Sequence, residues 1–571
     1  MTKKDLSESD ICDRYITPAI HNAGWLPQLI SREYFTDGEV QLDDGRIVRG
    51  GRKRADYLLF FRENYPIAVV EAKRNKYTVR HGLQQALGYA ETLNVPFAFS
   101  SNGDAFYLHD RSGTYPVLET ELALDKFPTP DDLWNRYLQW QKLAAKDEAL
   151  LKTAYHSNDE KQPRYYQRDA INQTIAAMSR GQKRCLIVMA TGAGKTYTVF
   201  NILWRLWKAR QARRILFLAD RNALINQTIT NDFSPFGEVM TKLTRKLVDS
   251  NGKINTSYQV YLGTYQAIVG QEAQEPLYPK FPSDFFDLIV VDECHRGSAE
   301  EDSNWRTVLD YFSSATQLGL TATPKETKYT SNIDYFGTPL HIYSLKRGIQ
   351  DGFLAPFWKI RITLDKDIEG WTPKSHELTQ SGGRLKSQQY NPRDRNQDIQ
   401  FEQRVLAVAK YVSEFLHRGD PMRKTIVFCE DVAHAEKMRS AFARLKINRS
   451  LIEKNHRYVM QITGDEQEGK AEIGNFIDPE ESYPVIATTS KLLSTGVDAK
   501  TCHLIVIDRP INSMTEFKQI IGRGTRLCPE YGKHFFTVID FRNATELFED
   551  KDWDGPAIQY SSFERKMTKK S

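Results

Sequence analysis

Two stretches of the sequence, residues 156–353 and 354–571, predict α/β folds built on parallel sheets. In both, apolar runs of strand length alternate with helix-length patterns. The runs lie at 185–190, 214–218, 288–291 and 317–320 in the first stretch, and at 425–429, 485–488, 504–507 and 535–539 in the second. A third observation sets residues 1–155 apart. Two apolar strands, 55–61 and 67–73, flank a short turn at 62–66. That is the pattern of a hairpin rather than of a helix-linked pair.

The chain has 571 residues, 40% hydrophobic and 26% charged, with 78 basic against 73 acidic residues and a net charge of +5. At roughly 150 residues per domain this length suggests three or four domains. The composition excludes a disordered chain and a low-complexity scaffold. No apolar stretch approaches the ~18 residues a membrane helix needs. The N-terminus lacks the apolar core of a signal peptide. Cys12, Cys185, Cys294, Cys429, Cys502 and Cys528 are too dispersed for a redox pair or a zinc knuckle. A soluble, cytoplasmic protein with no membrane partner is expected. Residues 131–152 read as helical and charged, 156–163 as a polar break, and 365–397 as a polar insertion or linker around Ser381, Gly382 and Gly383.

The strongest chemical signal follows the run at 185–189. Ala190, Thr191, Gly192, Ala193, Gly194, Lys195 and Thr196 lead into an apolar helical pattern. Gly192 and Gly194 let backbone N–H groups approach oxyanions, and the helix start adds a favourable dipole. Lys195 is placed to neutralise β and γ phosphates and Thr196 to bind Mg²⁺. Met189 stands where the general phosphate-loop pattern has its first glycine. After the strand at 288–291 come Asp292 and Glu293, at the end of a parallel strand that faces the ligand crevice. Asp292 can hold Mg²⁺, and Glu293 can orient or deprotonate a water. Arg523 and Arg526 are three apart, so on a helix they share a face. Their guanidinium groups suit a γ-phosphate developing charge. They equally suit a nucleic-acid contact or a solvated face, and that motif alone does not choose.

In the N-terminal segment Asp56 opens one strand, and Glu71 and Lys73 end the next. Strand side chains alternate, so Glu71 and Lys73 share a face, and an antiparallel pairing brings Asp56 beside them. Two carboxylates can hold Mg²⁺ while a lysine orients or activates a water, a site for phosphodiester hydrolysis. Gln85 and Tyr89 fall at i and i+4 on the following helix. Residues 46–80 hold ten Lys or Arg and three Asp or Glu, a local +7 that suits a polyanion.

These segments together resemble a superfamily 2 helicase or translocase. The sequence around Gln167 resembles the adenine-reading segment. Residues 217–222 and 263–266 resemble motifs Ia and Ib, and Asp292, Glu293, Cys294 and His295 are the DExH form of motif II. Residues 319–324 resemble motif III, 425–429 motif IV, 488–498 motif V and 519–526 motif VI. The resemblance implies that Gln167 reads adenine and that Arg523 and Arg526 contact the nucleotide. It also implies that Thr321 and Thr323 couple hydrolysis to domain movement. Residues 1–155 resemble the PD-(D/E)xK nuclease domain of type I restriction enzyme R subunits. There Asp56, Glu71 and Lys73 form the catalytic core, Gln85 and Tyr89 the motif after it, and Glu8 an extra helix carboxylate.

The order of segments is that of the R subunit. It implies a PD-(D/E)xK nuclease domain (1–155) followed by two RecA-like parallel-sheet helicase domains (156–353 and 354–571). The implied activity is ATP-dependent translocation on double-stranded DNA with Mg²⁺-dependent cleavage, alongside methyltransferase (M) and specificity (S) subunits. Two alternatives stay open: a stand-alone helicase–nuclease in DNA repair or phage defence, and a DNA-stimulated ATPase whose N-terminal domain only binds DNA. R subunits usually continue into a helical docking region. This chain ends at Ser571, soon after its last expected strand, so the sequence is expected to be truncated or to come from a short member.

Overall fold

The computed structural model describes residues 2–32, 35–43, 46–144, 147–156, 162–219, 222–230, 232–270, 275–294, 306–322, 326–327, 330–364, 402–464, 469, 471–490, 492–494, 499–548 and 560–565. The insertion expected at 365–397, Thr323, His295 and the last residues of the chain lie outside them. Contacts divide the chain into two compact units. Unit 1 is Met1–Gly38, Gly51–Met189 and Gly194–Tyr343; unit 2 is Glu39–Gly50, Ala190–Ala193 and Ser344–Ser571.

Unit 1 holds two sheets. Strand β1 (Ile30–Ser31) precedes an antiparallel hairpin of β2 (Val40–Asp43) and β3 (Arg46–Arg49), which groups with unit 2. Strands β4 (Tyr57–Arg62), β5 (Tyr65–Ala72), β6 (Phe97–Ser101), β7 (Ala105–Asp110) and β8 (Glu119–Ala123) follow. The sheet order is β1-β4-β5-β6-β7-β8. Every residue of β5 except Pro66 is buried, so both of its faces are covered, as its unbroken apolar run requires. β4 and β5 pair antiparallel with Tyr57 opposite Val70. Their turn is tighter than the sequence suggests, because Asn64 takes a left-handed φ of 62° that asparagine tolerates better than most residues. β5 and β6 are parallel, linked through the helix Leu83–Thr92.

The continuous helix expected at 131–152 is instead two, Pro130–Trp140 and Glu148–Leu151. Lys142 turns left-handed at φ 52°. The Lys142 and Leu143 N–H groups then close back on the Gln139 and Leu138 carbonyls, which stops the first helix.

The second sheet contains β9 (Arg184–Met189), β10 (Ile215–Ala219), β11 (Met240–Lys242), β12 (Val260–Thr264), β13 (Leu288–Val291) and β14 (Thr316–Thr321). After a hairpin of β15 (Glu326–Thr327) and β16 (Thr330–Ser331), β17 (His341–Tyr343) completes it. The order is β11-β12-β10-β13-β14-β9-β17, parallel throughout. One buried cation ties this sheet's helices to the first. Arg205, on the helix Lys195–Lys208, is 0% exposed. It donates to the Leu151 carbonyl (2.8 Å), the Thr153 carbonyl (3.0 Å) and Asn172 Oδ1 (3.1 Å). Asn172 Nδ2 in turn donates to the Asn64 carbonyl at the β4–β5 turn (3.2 Å). A planar guanidinium can serve three such acceptors at once, which an ammonium on a flexible stem does less well.

Unit 2 is built on β18 (Phe357–Leu364), β19 (Thr425–Cys429), β20 (Val459–Gln461), β21 (Ile486–Thr489), β22 (Leu504–Asp508), β23 (Phe536–Asp540) and β24 (Tyr560–Arg565). The order is β20-β21-β19-β22-β23-β18-β24, again parallel. β24 lies beyond the run at 535–539 that the sequence suggests as last. It pairs with β18, Lys359 opposite Tyr560. Its sequence, a serine pair and a charge pair separated by Phe563, gives it no apolar run to read.

At the end of β22, Asp508 is fully buried. It accepts a hydrogen bond from Arg404 Nη2 at 2.7 Å, and Arg542 Nε and His434 Nε2 each lie 3.3 Å away. Burial alone would raise this carboxyl, but Arg404, His434 and Arg542 outweigh it and hold it well below the usual range. A depressed folded value means the stabilisation is complete above the ordinary pKa of 3.8 and is lost as pH falls below it. Asp508→Asn is expected to cost ~3–5 kcal/mol at neutral pH, because two guanidinium groups lose a buried partner. Thermal melting of both proteins at neutral and acid pH checks this: the gap should shrink once pH drops below that value.

All six cysteines are free and buried. Among the described residues, no helix is long and apolar enough to cross a membrane.

Candidate nuclease and ATP sites

The β4–β5 pairing brings Asp56, Glu71 and Lys73 to one end of the first sheet. Asp56 sits just before β4, and its Oδ2 accepts from the Ala72 N–H at 2.8 Å. Glu71, in β5, is 3% exposed. Lys73 follows β5, anchored by its N–H to the Ser101 carbonyl at 2.8 Å. Lys73 Nζ donates to Glu71 Oε1 at 2.5 Å and to Gln85 Oε1 at 3.2 Å, and Gln85 Nε2 donates to the Tyr89 hydroxyl at 2.8 Å. The helix Leu83–Thr92 therefore presents Gln85 and Tyr89 to the site as one hydrogen-bonded row.

Electrostatics separate the two charges of the pair. The Glu71 carboxyl is pushed up to about 7, first by burial and then by the charge of Asp56, against the pull of Lys73. Burial pulls the Lys73 ammonium down, but the hydrogen bond and charge of Glu71 more than offset this and raise it. Lys73 thus stays a cation at neutral pH and can orient a water or steady a phosphate rather than accept a proton. Glu8, at the start of the helix Glu8–Ile11, has its carboxyl raised by burial; Lys73 lowers it and Asp56 raises it. Ser7 also caps that helix, accepting from the Asp10 N–H at 3.1 Å. The helix start and the proximity to the acidic pair are both real features of Glu8.

Among the described residues no group of three or more His, Cys, Asp or Glu stands close enough to hold a metal ion; the acidic set here is a pair. That pair nonetheless fits a divalent cation. Glu71 Oε2 is buried with no hydrogen-bond partner among the described residues. A cation beside it would relieve both the orphaned oxygen and the repulsion from Asp56.

Gly82, which the sequence does not mark, closes the site from the side. A Cβ there would lie 3.0 Å from Glu71 Cγ and 3.3 Å from Lys73 Cγ. Gly82→Ala is expected to reduce DNA cleavage ~10–100-fold by displacing these side chains. ATP hydrolysis should be unchanged, which a paired cleavage and phosphate-release assay would read.

The second site follows the carboxyl ends of β9 and β13. Gly192 and Gly194 take φ values of 92° and 82°, a conformation glycine adopts without strain. A Cβ on Gly194 would collide with the Gln167 side-chain amide. Gln167 is buried on the helix Tyr165–Ser179, where its Oε1 accepts from the Arg164 N–H at 2.9 Å. Lys195 and Thr196 open the helix Lys195–Lys208. Lys195 Nζ lies 2.9 Å from Glu293 Oε1, with both side chains under one-fifth exposed. Glu293 holds a left-handed φ of 53°, a strained conformation for a non-glycine residue that costs ~1–3 kcal/mol. The Asp292 N–H donates to the Leu218 carbonyl at 2.8 Å, and the Asp292 carbonyl accepts from the Tyr265 hydroxyl at 2.6 Å. Thr321 ends β14 fully buried; Thr323 is outside the described residues.

The expected shared helical face of Arg523 and Arg526 does not form. Their helix, Met514–Ile521, ends before either. Gly522 and Gly524 follow, and a Cβ on Gly524 would strike the Phe536 ring, so the chain turns there. Within unit 2, Arg523 Nε donates to the Gln519 carbonyl at 3.3 Å. Arg526 Nη1 donates to the Gly192 carbonyl, and Thr525 Oγ1 to the Thr191 carbonyl at 3.0 Å. Those phosphate-loop residues group with unit 2.

Comparisons with known proteins agree with this layout. Residues 24–119 match the family described as type I restriction enzyme R protein N terminus (HSDR_N). Residues 160–326 match the type III restriction enzyme res subunit family, and 407–528 the helicase conserved C-terminal domain. The endonuclease subunit of the type I restriction enzyme EcoAI of Escherichia coli is 49% identical over 96% of this chain and 68% of its own length. The chain belongs to the R subunits of type I restriction enzymes. The EcoKI endonuclease subunit of Escherichia coli strain K12 is a more distant relative, 28% identical over 90% of this chain and 49% of its own. This R subunit thus spans about two thirds of one relative and half of the other. A fragment structure from Vibrio vulnificus YJ016, described as an HsdR subunit, is similar at a TM-score of 0.80 and 39% identity, covering 98% of both chains. The R subunit is a restriction endonuclease subunit with helicase-type ATPase domains.

Proposed function

We propose that this R subunit is an ATP-dependent translocase on double-stranded DNA carrying a Mg²⁺-dependent endonuclease. It would act in the cytoplasm with M and S subunits that supply recognition of unmethylated sites. The observation that carries the nuclease half is the buried, unpartnered Glu71 Oε2 beside Asp56, joined to the row Lys73, Gln85 and Tyr89.

In this reading Asp56 and Glu71 hold Mg²⁺, which when bound polarises a phosphodiester and acidifies a water. Lys73, kept cationic by Glu71, orients that water or steadies the phosphate. Gln85 fixes Lys73, and Tyr89 fixes Gln85. At the motor, Lys195 neutralises the β and γ phosphates, and Thr196 and Asp292 hold the ATP-bound Mg²⁺. Glu293, released from Lys195 when nucleotide arrives, orients the attacking water. Gln167 reads adenine, and Arg523 and Arg526 meet the developing phosphate charge. Thr321 and Thr323 couple hydrolysis to domain movement. The 1–155, 156–353 and 354–571 divisions are the corresponding nuclease, first motor and second motor domains.

The test is plasmid cleavage by the subunit reconstituted with its M and S partners. Scission that needs both ATP and Mg²⁺ is expected. Mg²⁺-dependent binding without scission would leave only a DNA-stimulated ATPase. Full activity without partners would favour a stand-alone helicase–nuclease.

A further inference from the structure

A pocket of about 670 Å³ in unit 1 belongs to neither site. Its walls come from two segments, 207–214 and 256–259. The first is the end of the helix Lys195–Lys208 and its link to β10; the second is the approach to β12. β10 and β12 are neighbours and parallel, Ile215 opposite Val260, so both segments lie at amino ends of strands. Lys195 follows the carboxyl end of β9, and Asp292 and Glu293 follow that of β13. All these strands run the same way, so the pocket sits at the opposite edge of the sheet from the ATP site. A five-residue strand such as β10 makes that separation ~16 Å or more.

The pocket is one-signed. Lys208, Arg210, Arg213 and Arg214 line it with no carboxylate among the lining residues, and all four are exposed. None of them pairs with a carboxylate among the described residues. The neighbouring acid, Asp287, accepts instead from the Arg213 and Arg214 backbone N–H groups at 2.8 and 2.9 Å. Aromatic rings stand among the cations: Lys208 Nζ lies 4.9 Å from the centroid of the Trp207 ring and 4.5 Å from that of Trp204, and the Arg214 guanidinium 4.3 Å from that of Phe285. Trp207 and Tyr258 are half-buried, and Trp207 Nε1 donates to Gln259 Oε1 at 2.6 Å, which fixes the indole. Thr256 and Ser257 add exposed hydroxyls.

Arg210 is the least expected of these residues. Its φ is 59°. Its N–H bonds the Trp207 carbonyl and the Gln211 N–H bonds the Leu206 carbonyl, the helix stop in which glycine is usual. An L side chain there costs roughly 1–2 kcal/mol relative to glycine. The backbone pattern does not need the arginine; a guanidinium on the pocket wall is what the residue adds.

We propose that this pocket grips the sugar–phosphate backbone of a DNA strand, at a point separate from both the ATP site and the nuclease site. The proposal rests on the reading of this subunit as acting on DNA. Cations interleaved with exposed hydroxyls and an amide are the combination that binds the phosphates and sugars of a nucleic-acid backbone. The reading of this subunit as acting on DNA favours a sugar–phosphate backbone over an acidic protein segment, and the test separates the two.

The test uses the full chain and the double variant Arg210→Gln/Arg213→Gln, both changes being at exposed side chains. Binding of a fluorescent duplex is followed by anisotropy across salt concentrations. Each lost phosphate contact should reduce the salt slope by ~0.9, so the double variant should lose nearly two units. ATP hydrolysis in the absence of DNA should be unchanged. A wild-type chain that binds no DNA, either alone or reconstituted with M and S subunits, overturns this proposal together with the proposed function. Wild-type binding with an unchanged slope in the variant overturns this proposal alone. So does a variant that loses affinity for a polyglutamate peptide while keeping the DNA slope, which would assign the pocket to an acidic protein segment. Bromodeoxyuridine-substituted DNA, photolysed on the wild-type chain, should crosslink to peptides containing Trp207 or Tyr258.

Discussion

Lys195→Ala is expected to abolish ATP hydrolysis, with a loss of about a hundredfold to a thousandfold or more. Lys195 is the first residue of its helix and its side chain is mostly buried, 2.9 Å from Glu293. The substitution removes the cation that would face the phosphates. It also leaves Glu293, strained at φ 53°, without that partner and next to an incoming polyanion. Both effects act against the transition state, because phosphoryl transfer relies almost wholly on positioning and electrostatics. Phosphate release with saturating duplex DNA measures the loss. Circular dichroism should be unchanged, since Lys195 supports no buried network of the kind Arg205 does.

Lys73→Ala and Glu71→Gln are expected to reduce DNA cleavage by ~10²–10⁴-fold while DNA-stimulated ATP hydrolysis persists. Glu71→Gln removes a charge that would hold the cation, and Lys73→Ala removes the group that binds both Glu71 and Gln85. The raised Glu71 carboxyl also sets a pH dependence. Its value of about 7 lies above the ordinary 4.5, so below about pH 7 it is largely protonated and a poor cation ligand. Cleavage at limiting Mg²⁺ should rise with pH up to about 7 and then level off, saturating Mg²⁺ should move that rise to lower pH because the cation competes with the proton, and Glu71→Gln should remove the rise along with the activity. The same shift means that folding of this site favours the protonated form, so stability falls as pH rises from 4.5 towards 7.

Much of this architecture was legible because it rests on fully buried strands. The run at 288–291 is β13 to the residue, since a parallel strand covered on both faces must be apolar throughout. β11, β17 and β20 are three residues each, too short to stand out, and β24 reads as polar. The Asp56, Glu71 and Lys73 constellation was legible from alternation along a hairpin, and Gln85 and Tyr89 from helical spacing. Gly82 was not, because its role depends on which atoms a Cβ would meet. The arginines of 519–526 were placed on a helix because spacing of three suits one. Gly522 and Gly524 end that helix, and the crowding of Gly524 against Phe536 is a tertiary fact. Arg210 shows the opposite case: the sequence marks no helix stop there, since the residue is an arginine in a position glycine usually holds.

The separation of cutter and motor on one chain is tested most directly by scoring plasmid linearisation and phosphate release in the same reaction for Lys73→Ala, reconstituted with M and S subunits. The expected result is phosphate release at the wild-type rate with no linear product. Linear product at the wild-type rate, or loss of phosphate release together with cleavage, would contradict it.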